Sequence, residues 1–594
     1  MRVVRIVAFI SLLLCLTLIG CGAGGTSVHP SLAQERAGSY VNPMRIAVPG
    51  GSLAESCPDP SIIRGQSQGD ENWYLYCTSE MFTDHSRLHY LAISKSPDLV
   101  NWTYVGDVFA GKPRWVASDG YLWAPDIEYF NGKYYVYYAA SNTRAGGAAI
   151  FVATSDTPVG PWTASPTPVV EPEPVNGHGM RPTIDPAIVQ DGDQKYIFYG
   201  SFNGGISART LSADGMTSDR GSQVQITLSD RYEAPYIVKR NGFFYLMVSA
   251  GACCDGVLSG YGVYAARSPN VLGPYVDKDG NSLLEARIGG TPVLTMNGNR
   301  WIGPGHNAIA TDAAGADWMV YHAIDAQKPY FDGSWTRRPA MLDPIVWVDG
   351  WPRVRAGAGS SDSVQTAPVM TAVAPTDAAA AAIAPLDQPG VMNSSLSDEF
   401  DGDQLSGQWK WIRPPAGGNF GESGGTLRFD SQAGDIYQGA RSAPLLTEPV
   451  PSGDYMVEVK LSNNVPPAGV FNFVQGGIVI YKDDFNFVKL ASVAINNTRQ
   501  IEFAKQYVPG VLPRYGNTFL ASPADVTYLR IVRRASSTGE ELYSSYSSHD
   551  GLNWERGGTW THNLGAGAMI GLVSMAGKGF SNYFDYVHVY SLGN

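Results

Sequence analysis

The chain has 594 residues, against roughly 100–200 for an ordinary domain, so two or more domains are expected. Charged residues make up only 16%, while glycine and proline number 67 and 39 and aromatics reach 11%, a composition of turns and aromatic strands. A formal charge of −12 offers no basic footprint for a phosphate backbone, which excludes nucleic acid as a partner and leaves neutral ligands open.

At the start of the chain, Arg2 and Arg5 precede an apolar run from Ile6 to Ile19, the pattern of an export signal. Leu18-Ile19-Gly20-Cys21 resembles the lipobox of bacterial lipoproteins. That resemblance implies a signal over residues 1–21, lipidation of Cys21, and a chain that meets a membrane only through this N-terminal lipid, with an ordinary secretory signal or an uncleaved anchor as the alternatives. Residues 22–41 then read as a tether. No later segment reaches the roughly 18 apolar residues of a spanning helix. Four cysteines remain, Cys57, Cys77 and the vicinal Cys253-Cys254, and four allow three pairings. Cys57 and Cys77 flank a strand–turn–strand pattern whose turn, Gly65 to Asp70, lies midway, which favours a Cys57–Cys77 bridge.

Residues 42–355 carry an internal repeat of an apolar pair, a Gly/Asp/Asn turn and an aromatic strand ending in small residues. The copies are DPSIIRG…NWYLYCTS from Asp59, APDIEYFNGKYYVYYAAS from Ala124, DPAIVQDGDQKYIFYGS from Asp185, EAPYIVKRNGFFYLMVSAG from Glu233 and HNAIATDAAGADWMVYHA from His306. Each reads as a β-hairpin, with Asn131-Gly132, Asp191-Gly192 and Asn241-Gly242 as turn residues. Steps of 65, 61, 49 and 71 residues between the anchors Pro60, Pro125, Pro186, Pro235 and His306 each accommodate four strands. Five such units predict a five-bladed β-propeller around a central channel. Residues 356–393 are Ala, Ser, Pro, Thr and Gly with a run of alanines from Ala378 to Ala382, the composition of a flexible linker. Residues 394–594 are strand-rich without helical periodicity and predict a β-sandwich of jelly-roll or concanavalin-like type, giving an all-β chain. In the sandwich Trp409, Trp411 and Trp554 are either core residues or platforms for a sugar.

The innermost strand of each blade faces the axis, and the repeats place Asp59, Asp185 and Glu233 there. Three converging carboxyls raise one another's pKa values, an arrangement that suits chemistry needing one acid and one base, as glycoside hydrolysis does. Cys57-Pro58-Asp59-Pro60-Ser61-Ile62, Trp123-Ala124-Pro125-Asp126-Ile127, Ile184-Asp185-Pro186-Ala187, Glu233-Ala234-Pro235-Tyr236 and Gly303-Pro304-Gly305-His306 resemble glycoside hydrolase family 43, five-bladed enzymes acting on arabinan, arabinoxylan and related side chains.

The resemblance implies an inverting mechanism with Asp59 as general base, Glu233 as general acid and Asp185 as the residue that tunes the acid. It also implies Asp126 and Trp123 as substrate-binding residues and His306 as the ligand of a calcium or sodium ion in the channel. Arg338 is read as reaching the substrate or as closing a salt bridge. Trp123 to Ser141, Cys253-Cys254 and Arg337 to Pro352 are more similar to arabinanases than to β-xylosidases, so the expected partner is plant cell-wall α-1,5-arabinan or its oligosaccharides. Cys57-Pro58 stands where many arabinanases carry a histidine, which leaves endo and exo action open. Residues 395–594 resemble the sandwich of some β-xylosidases, through Asp398-Glu399-Phe400-Asp401-Gly402 and Trp409-Lys410-Trp411. The alternatives are an exo-acting α-L-arabinofuranosidase or β-xylosidase, and a surface lipoprotein that binds carbohydrate without turnover.

Overall fold

The computed structural model describes residues 38–83, 85, 87–175, 179–331, 335–371 and 383–593. The signal, Cys21 and nearly all of the tether lie outside the described residues. Among the described residues the only helical pieces are three-residue turns, and no helix is long and apolar enough to cross a membrane.

The five repeats form five sheets in a ring. Their inner strands are Ser61–Arg64, Leu122–Phe130, Ala187–Asp191, Glu233–Arg240 and Trp301–Thr311. Each pairs antiparallel with the strand after its turn. Neighbouring inner strands touch around the ring, and the fifth returns to the first. Asn131-Gly132 and Asn241-Gly242 make the expected two-residue turns, all four residues having positive φ. In the third repeat Asp191 instead pairs with Gln194, so the turn is Gly192-Asp193, one residue later than the sequence suggests.

Four of the sheets are regular four-stranded blades. The first repeat differs from expectation because it belongs to a seven-stranded sheet. Arg45–Ala47 adds in parallel to the outer strand Asn101–Phe109, Leu53–Ala54 follows it, and Glu80–Met81 pairs with Leu88–Ser96. The same N-terminal stretch closes the ring. The Met44 amide donates to Ala340 O at 2.9 Å and the Tyr40 hydroxyl to Leu342 O at 2.8 Å, tying the start of the chain to the last blade. Tyr40, Trp73, Leu75 and Trp102 pack there against Trp318, Val320 and Leu342 in one apolar core.

The expected Cys57–Cys77 bridge is present and buried. Closing a 20-residue separation stabilises the fold by about 3 kcal/mol through the unfolded chain. It also fixes the spacing of the residues just beyond it, Asp59 and Thr78.

Residues 391–593 form a sandwich of an eight-stranded and a seven-stranded sheet, with Val457, Val459, Ile478, Leu490, Ile501, Leu529 and Ile570 between them. Trp409 is buried in this core with its indole N–H on Asp398 Oδ2 at 2.8 Å. Trp411 packs against the same core, and Trp554 lies under Arg530, so none of the three is a free sugar platform.

The described parts of the stretch between the domains, residues 356–371 and 383–393, make specific contacts. Gln365–Thr366 pairs with Ser39–Tyr40, the Ser361 amide donates to Asp343 Oδ2 at 3.0 Å, and Asp387 accepts from Arg534 and the Tyr546 hydroxyl at 2.7 Å. The sandwich docks on the fourth and fifth blades. Arg231, 2% exposed, donates to Gln500 Oε1 and Leu520 O, both at 2.8 Å, and packs over Phe519. Arg353 pairs with Glu555, and the Arg499 and Thr559 amides donate to Ala286 O and Met296 O.

Candidate active site

Each inner strand has one non-glycine residue in the left-handed region at or near its start. These are Asp59, Ala124, Asp185, Ala234 and His306, with φ between 46° and 56°. Such backbone costs about 1–2 kcal/mol per residue, so its recurrence once per blade marks a position held from outside. In four blades the hold is visible, because the amide of the left-handed residue donates to a side chain of the preceding blade. Ala124 donates to Thr78 Oγ1 at 2.7 Å, Ala234 to Asp185 Oδ2 at 3.1 Å, His306 to Ser249 Oγ at 3.0 Å and Asp59 to His322 Nδ1 at 3.2 Å.

This register corrects one sequence-based equivalence. Asp59 and Asp185 share a position with Ala234, so Glu233 stands one residue earlier, and its counterpart in the second blade is Trp123. Both positions still reach the axis. Asp59, Asp185, Glu233, His306, Arg338 and Trp123 line one cavity of about 370 Å³.

Asp126 does not join them. It is buried between blades, accepting from the Ser61 hydroxyl at 3.4 Å and the Ile188 amide at 2.7 Å, and burial pushes its carboxyl up to about 7. Asp126 therefore ties the first three inner strands together, in place of the substrate contact expected of it.

The carboxyls in the cavity are driven in opposite directions. Burial alone would raise Asp59, but Arg338 Nη1 at 2.8 Å, His306 Nδ1 at 3.3 Å and the Thr78 hydroxyl at 2.6 Å reverse the effect and hold it far below the ordinary carboxylate range. Arg338 thus closes a salt bridge on Asp59 while also facing the cavity. Burial raises Glu233, and the charge on Asp59 adds to this; hydroxyls of Tyr261 at 2.7 Å and Ser201 at 2.9 Å only partly offset the rise. Burial and the charges of Glu233 and Asp59 raise Asp185 well above the usual range. One cavity therefore holds a carboxyl driven towards its ionised form beside two driven towards their protonated forms, the combination that acid–base catalysis requires.

The model of the glycosyl hydrolases family 43 matches residues 52–352, just over half of the chain. The chain belongs to glycosyl hydrolase family 43. This family 43 protein is accordingly a glycosidase that hydrolyses O-glycosyl compounds. Residues 397–589 match the beta xylosidase C-terminal concanavalin A-like domain. The extracellular endo-alpha-(1->5)-L-arabinanase 1 of Bacillus subtilis (strain 168) is 33% identical over 313 residues, 51% of this chain and 88% of the relative. The extracellular exo-alpha-(1->5)-L-arabinofuranosidase ArbA of Cellvibrio japonicus (strain Ueda107) is 32% identical over 319 residues, 50% and 85% of the two chains. An arabinan endo-1,5-alpha-L-arabinosidase A of Aspergillus aculeatus is 28% identical over 344 residues, 55% of this chain and 98% of the relative.

The ion expected at His306 finds a poor donor set in this family 43 enzyme. Calcium gathers about six to eight oxygens. His306 faces a carboxylate oxygen that already carries Arg338. Among the described residues no three His, Cys, Asp or Glu side chains gather into a metal-binding group, so these side chains alone do not make up a calcium shell. No step below uses an ion.

Sequence reasoning missed Thr78, Ser201, Tyr261, His322 and Trp335. Three of them were within reach, because Thr78, Ser201 and His322 occupy the strand ends that the repeats show as small or polar residues. Trp335, 41% exposed, rises from a short hairpin, Tyr330–Phe331 with Trp335–Thr336, inserted inside the last blade where no repeat position points to it.

Proposed function

We propose that the protein is an exported, inverting glycosidase of α-1,5-linked L-arabinan or its oligosaccharides, anchored through lipid on Cys21. The observation that carries the mechanism is the opposite displacement of Asp59 and Glu233 within one cavity. Asp59, held ionised by Arg338, takes a proton from a water as that water attacks the anomeric carbon. Glu233 delivers its proton to the departing glycosidic oxygen, so the bond to the leaving group breaks as the bond to water forms. Asp185, hydrogen-bonded to the Ala234 amide beside Glu233, is buried with it, and any negative charge it carries favours the protonated form of Glu233. A protein that only bound sugar would gain nothing from this pair, which favours turnover over the lipoprotein that binds carbohydrate.

The arabinan substrate rests on the arabinan-directed relatives, which align over nearly their whole length. A second reading, exo-acting β-xylosidase or arabinofuranosidase chemistry, is favoured by the xylosidase-type sandwich and by its docking against the catalytic domain. Product analysis separates the two. Linear arabinan should yield arabino-oligosaccharides if action is endo and arabinose alone if it is exo; hydrolysis of xylosides with arabinan untouched would replace the arabinan reading.

The pH profile supplies an independent check. The Tyr261 hydroxyl stabilises the charged form of Glu233, so Tyr261→Phe should raise the Glu233 carboxyl further. The alkaline limb of kcat/KM should move to higher pH while the acid limb, set by Asp59, stays put. An alkaline limb that is unmoved or falls contradicts the assignment of Glu233 as the acid.

A further inference from the structure

The geometry points to the Cys253–Cys254 disulfide as a substrate-contacting platform that receives the apolar C–H face of a sugar in the cavity. This rests on the glycosidase reading of that site. The two cysteines are bonded to each other and both line the cavity that holds Asp59 and Glu233. A bridge between sequence neighbours closes almost no loop, so unlike Cys57–Cys77 it contributes little to the fold through chain entropy. What it does change is the surface. It fuses two flexible polar thiols into one rigid ring whose disulfide face is apolar and carries no hydrogen-bond donor, in the cavity that Trp335 also lines. Sugars present polar edges and apolar faces, and a fixed apolar surface engages such a face at low entropic cost.

The surrounding chain holds the ring in place. Cys254 O accepts the Thr336 hydroxyl at 2.7 Å, and Asp255 pairs with Arg514 of the sandwich. Gly251 has φ +97°, and a Cβ there would meet Gly260 O at 2.6 Å, so the loop folds tightly back on itself. It leads directly into Tyr261, whose hydroxyl donates to Glu233, and this fixes the platform relative to the acid. Cys254 is exposed whereas Cys57 and Cys77 are buried, so a water-soluble phosphine should open the vicinal bridge first.

The full-length protein is assayed on arabino-oligosaccharides, or on xylosides if those are what it cleaves, before and after mild phosphine reduction. Alkylation and mass spectrometry establish that only Cys253 and Cys254 were opened. Reduction should raise KM about tenfold with kcat within about twofold, and reoxidation should restore KM. The variant Cys253→Ser/Cys254→Ser should match the reduced enzyme and not respond to phosphine. An unchanged KM with both thiols alkylated, or a loss confined to kcat, overturns the platform while leaving the glycosidase reading standing. An oxidised enzyme inactive on every sugar tested overturns that reading itself.

Discussion

Asp59→Asn should lower kcat by about 10²–10⁴-fold on every substrate, because Asp59 is driven towards its ionised form while Asp185 and Glu233 are driven the other way. Asparagine retains the shape, so the variant should fold, but it loses the charge that Arg338 and Thr78 stabilise, and the melting temperature should fall by several degrees. Glu233→Gln should be equally damaging on natural glycosides but much milder on aryl glycosides, whose phenolate leaves without protonation. That asymmetry distinguishes the roles. Equal losses for both variants on aryl substrates would remove the acid assignment, and comparable activity in Asp59→Asn would remove Asp59 from the mechanism.

Cutting the chain after residue 371 should give a propeller that is insoluble or melts about 10 °C or more below the full protein. The sandwich covers Arg231, whose guanidinium donates to Gln500 Oε1 and Leu520 O, and it supplies Phe519 to the apolar core of the fourth blade. It also takes Met296 of the propeller into its own core and pairs Glu555 with Arg353. Each kcal/mol lost in a domain this large costs about 2–4 °C, and removing one partner of a buried charge costs several kcal/mol. A soluble fragment with the full melting temperature would show that the interface contributes nothing to stability.

This interface is where sequence reading failed most clearly, and the reason is physical. The stretch after Arg355 has the composition of a flexible tether, and composition reports what a segment can do alone, not which surface it lies against. Arg231, Gln500 and Phe519 look like ordinary residues until two domains meet over them. The blades, by contrast, were legible because a period-two aromatic pattern with Asn-Gly turns has few other solutions. Asp59, Asp185 and Glu233 were legible because repetition placed them together. The one-residue offset of Glu233 was hidden because the left-handed residue of each inner-strand segment is a backbone property, and Ala234 carries no sign of it. Asp126 misled for a related reason. A carboxylate at a strand's start faces either the cavity or its neighbours, and only the bonds to Ser61 and the Ile188 amide decide between them.

The central claim is that Asp59 activates a water on one side of the sugar while Glu233 protonates the leaving oxygen on the other. Proton NMR during the first minutes of hydrolysis of an α-L-arabinofuranoside, before the product mutarotates, tests it most directly. β-L-Arabinofuranose should appear first; initial release of the α-anomer would mean a covalent intermediate and would contradict direct attack by water.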